Sequence, residues 1–421
     1  MATIAILGTL DSKGEEHAFV AQQIQQRGHK TLIIDVGTLG QPKLKPDIRR
    51  EEVLAAAGFQ PAKILQKKDR GQAVSAMSQG APIVLAKLAA SKKIGGVISI
   101  GGGGGTAIAT AAMRALPIGF PKIMISTLAS GNTAQYVGVK DIVMFPSIVD
   151  VSGLNRISRQ IFTQAAGAIC GMVEVGRQGR TSSPQNTFKR QSDKPIIVAS
   201  MFGNTTECVQ RAQKILEQAG YEILVFHATG IGGRTMESLI ETGLVAGVLD
   251  ITITEWADEL VGGVLSAGPT RLEAAAKNGV PAIVVPGCLD MVNFHAPETV
   301  PAKFKGRNFY AHNPQVTLMR TTLQENARLG KIIAEKLNCS IGPLSVLLPL
   351  QGLSIISAPG QKFYDAAADH ALFASLKKKL RKTIEVIEMN CAINDAAFAE
   401  TCAQTLLKNI GLHVPQRPNQ K

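Results

Sequence analysis

Short apolar runs of about five residues alternate with helix-like stretches along the whole 421-residue chain, which predicts parallel β-sheets covered by helices on both faces. The pattern runs to about residue 175 and restarts near residue 195. The net charge of +13 divides at the same place, with 23 Lys+Arg against 11 Asp+Glu in residues 1–190 and 22 against 21 in residues 191–421. These observations predict an α/β protein of two Rossmann-like doubly wound domains in tandem, 1–175 and 195–421, joined by a linker at 176–194. Two such domains are expected to face each other across an interdomain cleft at the carboxyl ends of their strands.

The elements follow in order. Residues 3–7 form a first apolar strand, Gly8-Thr9-Leu10-Asp11 a turn, and a helical stretch continues to about Arg27. A second strand at 30–35 ends on Asp35, and a third at 96–100 runs into the glycines at 101–105. Strands at 122–126 and 142–145 and helices at 73–90 and 152–173 complete the first half. The linker GRQGRTSSPQNTFKRQSDK has no hydrophobic period. Beyond it, a strand at 195–201, a turn at 202–206, a helix at 207–218 and a strand ending at His227 repeat the opening layout. Gly8 to Gly203 is an offset of 195, while Gly28 to Gly220 and Asp35 to His227 are both 192. Near-constant offsets point to two domains of related design. Further strands are expected at 247–253, 282–285, 344–348 and 384–389.

Composition narrows the function classes. A hydrophobic fraction of 45% over this length excludes disorder. The six cysteines are scattered without a CxxC pair, and the N-terminus has no basic, apolar leader, so a reducing cytoplasmic setting is expected. Two charge-free stretches, 94–113 and 337–361, carry seven glycines and three prolines respectively and make poor membrane spans. One tryptophan and four tyrosines argue against a base-stacking platform, and no helix-turn-helix or zinc-finger spacing indicates specific nucleic-acid reading. The basic first half suits a small phosphorylated ligand, and a homo-oligomer is the expected assembly.

The glycine run is the strongest local motif. Gly101, Gly102, Gly103, Gly104 and Gly105, then Thr106, stand between an apolar strand and a helix. Glycines there let backbone N–H groups approach an anion at the positive end of the helix, and Thr106 can cap the helix or bond a phosphate oxygen. The run fits neither a Walker A loop nor GxGxxG, and a tight turn with close helix–sheet packing is the alternative. Ser130, Gly131 and Asn132 close the next strand with polar groups suited to phosphates or a ribose. At the end of the first strand, Gly8 and Thr9 make the turn. There Lys13 could neutralise phosphate charge and Asp11 could hold magnesium through water. Asp35 stands where a carboxylate takes ribose hydroxyls.

In the second half, His227, Glu255, Asp258, Asp290 and His295 are candidates to converge on one pocket. His227 and Glu255 suit acid/base work, and Arg234 suits an anion. No metal-type Cys/His spacing identifies a metal.

These stretches resemble a known family: the ATP-binding N-terminal region of the tomato mosaic virus resistance protein and its bacterial relatives. The resemblance rests on GTLDSKGE (8–15), the 101–106 run, STLASGN (126–132), VDVSGLNRIS (149–158), MFGNTTECV (201–209), FHATGIGGRTME (226–237), LDMVNF (289–294) and HNPQVTLMRTT (312–322). It implies an ATP-binding first domain, with magnesium as the accompanying ion, and a second α/β domain of unsettled role. In the plant protein this region also binds a viral protein, so a protein partner is a further expectation. The family often carries a serine near Gly103 and an aspartate at Asn132 and Ser357. The missing carboxylate at Asn132 bears on magnesium or ribose binding. The reading that results is ATP binding in the first domain, with an enzyme acting on a small anionic metabolite in the cleft. The alternative is a nucleotide-sensing interaction or inhibitor module without turnover.

Overall fold

The computed structural model describes residues 1–67, 69–178 and 194–412. The chain divides into two units, Met1–Lys189 and Arg190–Lys421. Apart from its ends, the linker expected at 176–194 lies outside the described residues.

The first unit holds β1 (Thr3–Gly8), α1 (Leu10–Gln26), β2 (Lys30–Asp35), α2 (Arg50–Ala56), α3 (Pro61–Leu65), α4 (Arg70–Ala90) and β3 (Gly96–Gly101). Then come α5 (Gly103–Arg114), β4 (Lys122–Ser126), α6 (Ala134–Val137), β5 (Val143–Pro146) and α7 (Arg156–Gln178). All five strands are parallel, in the order β2-β1-β3-β4-β5. Successive side chains of a strand face opposite sides of the sheet, so Ala5 and Leu7 pack with α2, α4 and α5 while Ile4 and Ile6 pack with α1 and α7. Among the described residues α4 alone is long and apolar enough to cross a membrane by length and composition. Here it is a core helix, with Ala76, Met77, Ala81 and Leu85 in the same cluster as Ala5 and Leu7. A Cβ at Gly80 would strike the Val53 carbonyl, so glycine permits the close approach of α4 to α2.

The second unit opens with β6 (Ile196–Met201), α8 (Thr206–Gln218), β7 (Glu222–His227), α9 (Ile231–Ile240) and β8 (Val245–Thr252). It continues with α10 (Glu255–Val261), α11 (Glu273–Asn278), β9 (Ala282–Gly287), β10 (Met291–Phe294), β11 (Phe309–Asn313) and β12 (Val316–Arg320). It closes with α12 (Leu323–Leu337), β13 (Leu344–Pro349), α13 (Ala366–Lys379), β14 (Glu385–Met389) and α14 (Ala396–Leu412). Six strands form a parallel sheet ordered β14-β13-β9-β8-β6-β7, while β10-β12-β11 is a separate antiparallel sheet. One face of the large sheet packs Ile197, Ala199, Leu249 and Ile251 with α8 and α14. The other packs Val198 and Val248 with α9 and α11. Thr322 starts α12 through a capping box, its hydroxyl accepting from Glu325 N at 3.2 Å while the Glu325 carboxylate accepts from Thr322 N at 2.7 Å.

Within each unit the second strand lies outside the first and the later strands run outward from the other side. Both sheets are therefore doubly wound in one design, with Asp35 and His227 each ending the second strand. The three short strands of the antiparallel sheet were not foreseen, because their apolar residues serve a small sheet rather than a continuous buried run.

Candidate functional site

In the first unit the strand order reverses between β1 and β3, and open α/β sheets hold ligands outside the carboxyl ends of their strands at such a point. A cavity of about 410 Å³ opens there. Thr9, Asp11, Ser12 and Lys13 line it from the start of α1, and Thr38, Leu39 and Gly40 from the loop after β2. Arg70 and Val74 of α4, Gly102, Gly104 and Gly105 of the glycine run, and Asp150 complete the wall. Its volume lies within the range of small-molecule sites, roughly 300–1,000 Å³.

The glycine run splits between strand and helix. Gly101 ends β3, Gly102 is the extended residue before α5, and Gly103, Gly104 and Gly105 form the first helical turn without a side-chain cap. First-turn N–H groups have no partner within a helix, and here they stand at its positive end. A Cβ at Gly101 would come within 2.9 Å of Gly105 Cα, so this glycine is required by packing. At Gly102 nothing lies closer than 3.7 Å, at Gly103 nothing within 4 Å, at Gly104 nothing closer than 3.5 Å, and at Gly105 nothing closer than 3.7 Å. None of these four has the positive φ that would favour glycine. The tight-turn account therefore explains Gly101 alone, although glycine in a helix costs roughly 0.5–1 kcal/mol relative to alanine.

The charged groups divide into two roles. Asp11 Oδ2 accepts from the N–H groups of Thr38, Leu39 and Gly40 at 2.9, 2.8 and 3.2 Å, pinning the loop after β2. Burial acts to raise its pKa, but these backbone donors outweigh burial and hold it below the ordinary carboxyl value. Lys13 donates to the Val151 carbonyl and lines the cavity, with a non-helical backbone (φ −128°) that kinks α1. Arg70 projects an exposed guanidinium 3.6 Å from where a Cβ on Gly104 would stand, and it pairs with no acidic group among the described residues. Arg70 and Asp150 escaped sequence reasoning because both lie outside the glycine-rich turns, and only the chain's path brings them there.

Three expected ligand residues are instead built into the fold. Asp35 is 1% exposed, and its Oδ1 accepts from Leu10 N at 3.2 Å and Gly37 N at 2.8 Å; burial raises its pKa against those bonds. It fastens β2 to α1 and does not face a ribose. Thr106 is fully buried, with its hydroxyl 2.7 Å from Ser126 Oγ, because the fourth residue of α5 turns toward the sheet. It neither caps the helix nor reaches a phosphate. Gly8 gives room to the His17 ring, which would overlap a Cβ there. Burial pushes the His17 pKa down, and its Nδ1 lies 2.6 Å from the Lys13 carbonyl.

A second cavity of about 220 Å³ lies at the ends of β4 and β5, lined by Ser126, Thr127, Ser130, Ser147, Ile148, Val149 and Asp150. Of the three polar-loop candidates only Ser130 reaches it. Asn132 turns its Oδ1 to Ala134 N at 3.1 Å, and Gly131 lines neither cavity.

The second unit ties several of the residues expected to do chemistry into its own hydrogen bonds. Glu255 is buried, and Oε1 accepts from Gly230 N at 2.8 Å and Gly233 N at 3.1 Å while Oε2 accepts from Arg271 Nε at 2.7 Å. Both oxygens are engaged, so Glu255 is a structural anion rather than a poised base. Arg271 also grips Asp250 through two bonds of 2.6 Å and reaches Glu237 at 3.0 Å, and these carboxylates raise its pKa against the effect of burial. His227 is exposed at the end of the edge strand β7 and stacks on Phe202 with ring centroids 5.2 Å apart. Arg234 stands exposed on α9. Asp258 bonds Asn293 Nδ2 at 2.7 Å, and burial raises its pKa to about 7. Asp290 instead accepts from Ser354 Oγ at 2.8 Å. His295 is exposed. No cluster of three His, Cys, Asp or Glu suited to a metal occurs among the described residues.

The glycines of the turn at 230–233 contrast with Gly102–Gly105. A Cβ would strike the Ser266 carbonyl at Gly230, the His227 carbonyl at Gly232 and the Glu255 carboxylate at Gly233, and Gly230 has φ +82°. Here the chain's own atoms require every glycine of the turn.

Residues 2–178 match the N-terminal domain, and residues 194–410 the C-terminal domain, of an uncharacterised protein family (UPF0261). A UPF0261 protein of Clostridium tetani is 50% identical over 405 residues, covering 96% of this chain and 98% of that protein. The ToMV susceptible protein tm-1(GCR26) of Solanum lycopersicum is 37% identical over 424 residues, or 96% of this chain and 55% of that protein. The ToMV resistance protein Tm-1(GCR237) of the same plant is 42% identical over 341 residues, or 80% of this chain and 45% of that protein. This chain thus spans about half the length of the two tomato relatives. An esterase domain from Rhodothermus marinus, 14% identical over 53% of this chain and 89% of its own, has a TM-score of 0.30, too low to carry an argument. On the match of both halves and on identities of this size along nearly its full length, the chain belongs to the UPF0261 family.

Proposed function

We propose that the first unit binds ATP in the cavity between β1 and β3. The observation that carries this reading is the set of four glycines, 102–105, that no neighbouring atom and no backbone angle requires. A residue type that weakens a helix is accounted for when a ligand must approach the backbone itself. The phosphates would lie on the first-turn N–H groups of α5, with Lys13 and Arg70 supplying positive charge. Magnesium, carried in with the nucleotide, would meet Asp11 Oδ1 through water. The likeness to the ATP-binding region of the tomato resistance protein supports the same ligand.

A nucleotide-sensing module without turnover is the second reading, favoured by the full engagement of Glu255 in the second unit. An enzyme acting on a small anionic metabolite would then need acid/base groups other than Glu255. Calorimetric titration with ATP and magnesium tests the main reading. Wild type should bind, and Gly104→Val, which places a branched side chain on the cavity wall, should not. Equal affinity in the two proteins removes the assignment.

A further inference from the structure

The smaller cavity shares Asp150 with the larger one. A second link joins them, since a Cβ on Gly102 of the larger cavity would stand 3.7 Å from Thr127 Oγ1 of the smaller. The smaller cavity therefore adjoins the turn that would hold the phosphates. Its volume of about 220 Å³ is about half the 410 Å³ of the larger cavity and below the roughly 300–1,000 Å³ of drug-sized ligand pockets, which fits a small metabolite and not a second nucleotide. Its lining is rich in hydroxyls. Ser126 and Ser147 are tied to the protein, at 2.7 Å from Thr106 Oγ1 and 2.7 Å from the Val149 carbonyl. Thr127 and Ser130 are exposed, and their side chains have no hydrogen-bond partner among the described residues. Asp150 is exposed too, and its carboxylate accepts no hydrogen bond and meets no cation among the described residues. It is the one charged residue lining the smaller cavity, so an anion is disfavoured there. The loop carrying it holds Ile148 at φ +63°, a costly conformation for a β-branched residue that is also 74% exposed.

Resting on the ATP reading, we propose that this cavity takes a small, neutral, polyhydroxylated molecule and that the first unit transfers the γ-phosphoryl group of ATP to it, with Asp150 as general base. The acceptor hydroxyl oxygen forms a bond to the γ-phosphorus, and the bond from that phosphorus to the β–γ bridging oxygen breaks. ADP leaves with that electron pair, and the hydroxyl proton passes to the Asp150 carboxylate and then to solvent. The Gly102–Gly105 amides, Lys13 and Arg70 hold the charge that shifts onto the leaving oxygens.

The test uses the full chain with ATP and magnesium, with water as default acceptor and glycerol as the polyol probe. ATP binding is followed by calorimetry and ADP release by phosphorus NMR. Wild type should bind ATP and release ADP, and molar glycerol should change that rate, upward where it accepts phosphate and downward where it displaces water. Asp150→Asn should bind ATP at least as tightly, because a carboxylate facing the triphosphate is gone, yet release ADP about 100-fold more slowly. Ser130→Trp, which fills the smaller cavity, should abolish the response to glycerol. Wild-type binding without ADP release overturns the transfer proposal, as does a rate indifferent to glycerol or an Asp150→Asn rate within about threefold of wild type. An Asp150→Asn protein that loses ATP affinity by more than about tenfold makes Asp150 a nucleotide-holding group and overturns its role as base. Failure of wild type to bind ATP is a separate result, and it removes the nucleotide reading itself.

Discussion

Replacing Gly104 and Gly105 together with alanine should make the protein more stable and a worse nucleotide binder. Both positions are helical, in the first turn of α5. The nearest atoms to the added methyls are Val74 Cγ2 at 3.5 Å and Arg70 Nη2 at 3.6 Å for Gly104, and the Ile100 carbonyl at 3.7 Å for Gly105. These are ordinary van der Waals separations, so nothing offsets the smaller conformational entropy of the unfolded chain. Each change is worth about 0.4–1 kcal/mol, or about 1–2 kcal/mol for the pair. For a unit of this size that raises the midpoint of thermal unfolding by roughly 2–8 °C, at about 2–4 °C per kcal/mol. ATP at a hundred times its dissociation constant should add about 2.7 kcal/mol to wild type. The methyls stand where phosphate oxygens would meet the amides, so the variant should gain little from ATP. Scanning calorimetry of the full chain with and without ATP gives both readings. The variant unfolds later than wild type without ATP, and ATP moves its midpoint much less. A lower midpoint without ATP would show that the fold needs these glycines. An undiminished ATP shift would show that they do not face the ligand.

Further outcomes follow from individual side chains. Arg70→Ala should weaken ATP binding by about 10- to 100-fold, the worth of a charge-assisted bond of roughly 1.5–3 kcal/mol, and should leave stability within about 0.5 kcal/mol; titration and denaturant unfolding measure the two. Thr106→Val should do the reverse, costing about 0.5–1.5 kcal/mol by removing the hydrogen bond to Ser126, whose hydroxyl keeps Leu128 N as a donor, while ATP affinity stays within about twofold. The raised pKa of Asp258, about 7, means that the folded state binds a proton more readily than the unfolded chain. Its stability contribution is thus full below the ordinary carboxyl value of 3.8 and is lost as pH rises to about 7, at a slope of at most about 1.4 kcal/mol per pH unit. Denaturant midpoints of the second unit, measured between pH 4.5 and 7 (about the span of that titration), should fall with pH in wild type and fall less in Asp258→Asn.

The alternation of strand and helix was legible in the sequence because it is a local property. An all-buried strand such as GVISIG at 96–101 reads as one wherever it occurs. The two-fold layout was legible through its offsets, and the strand orders repeat it. Side-chain assignments were less so. Two glycine-rich strand-to-helix turns, at 101–105 and 230–233, look alike as text, yet the chain's own carbonyls and a carboxylate crowd the second and leave most of the first open. Glu255 read as a free acid/base group because its partners, Gly230 and Arg271, lie 25 and 16 residues away and meet it only in the folded sheet. Asp35 and Thr106 were placed at the right strand ends but given the wrong facing. One residue of helical rotation or one backbone donor decides whether a polar group looks outward or is consumed by the fold.

The carboxylate of Glu255 rests on the N–H groups of Gly230 and Gly233 at the start of α9, the position where such helices elsewhere receive a phosphate. The second unit thus carries its counter-ion on a covalent tether, with Arg271 closing it in from the other side. A tethered anion acts at an effective concentration that dissolved anions rarely match. Dissolved anions can therefore do little to that helix end. The helix that begins at Gly103 has no such resident among the described residues, so its positive end is left to whatever anion the solvent supplies. Two sheets wound in the same order thus differ at a helix end, one neutralised from within and one left open.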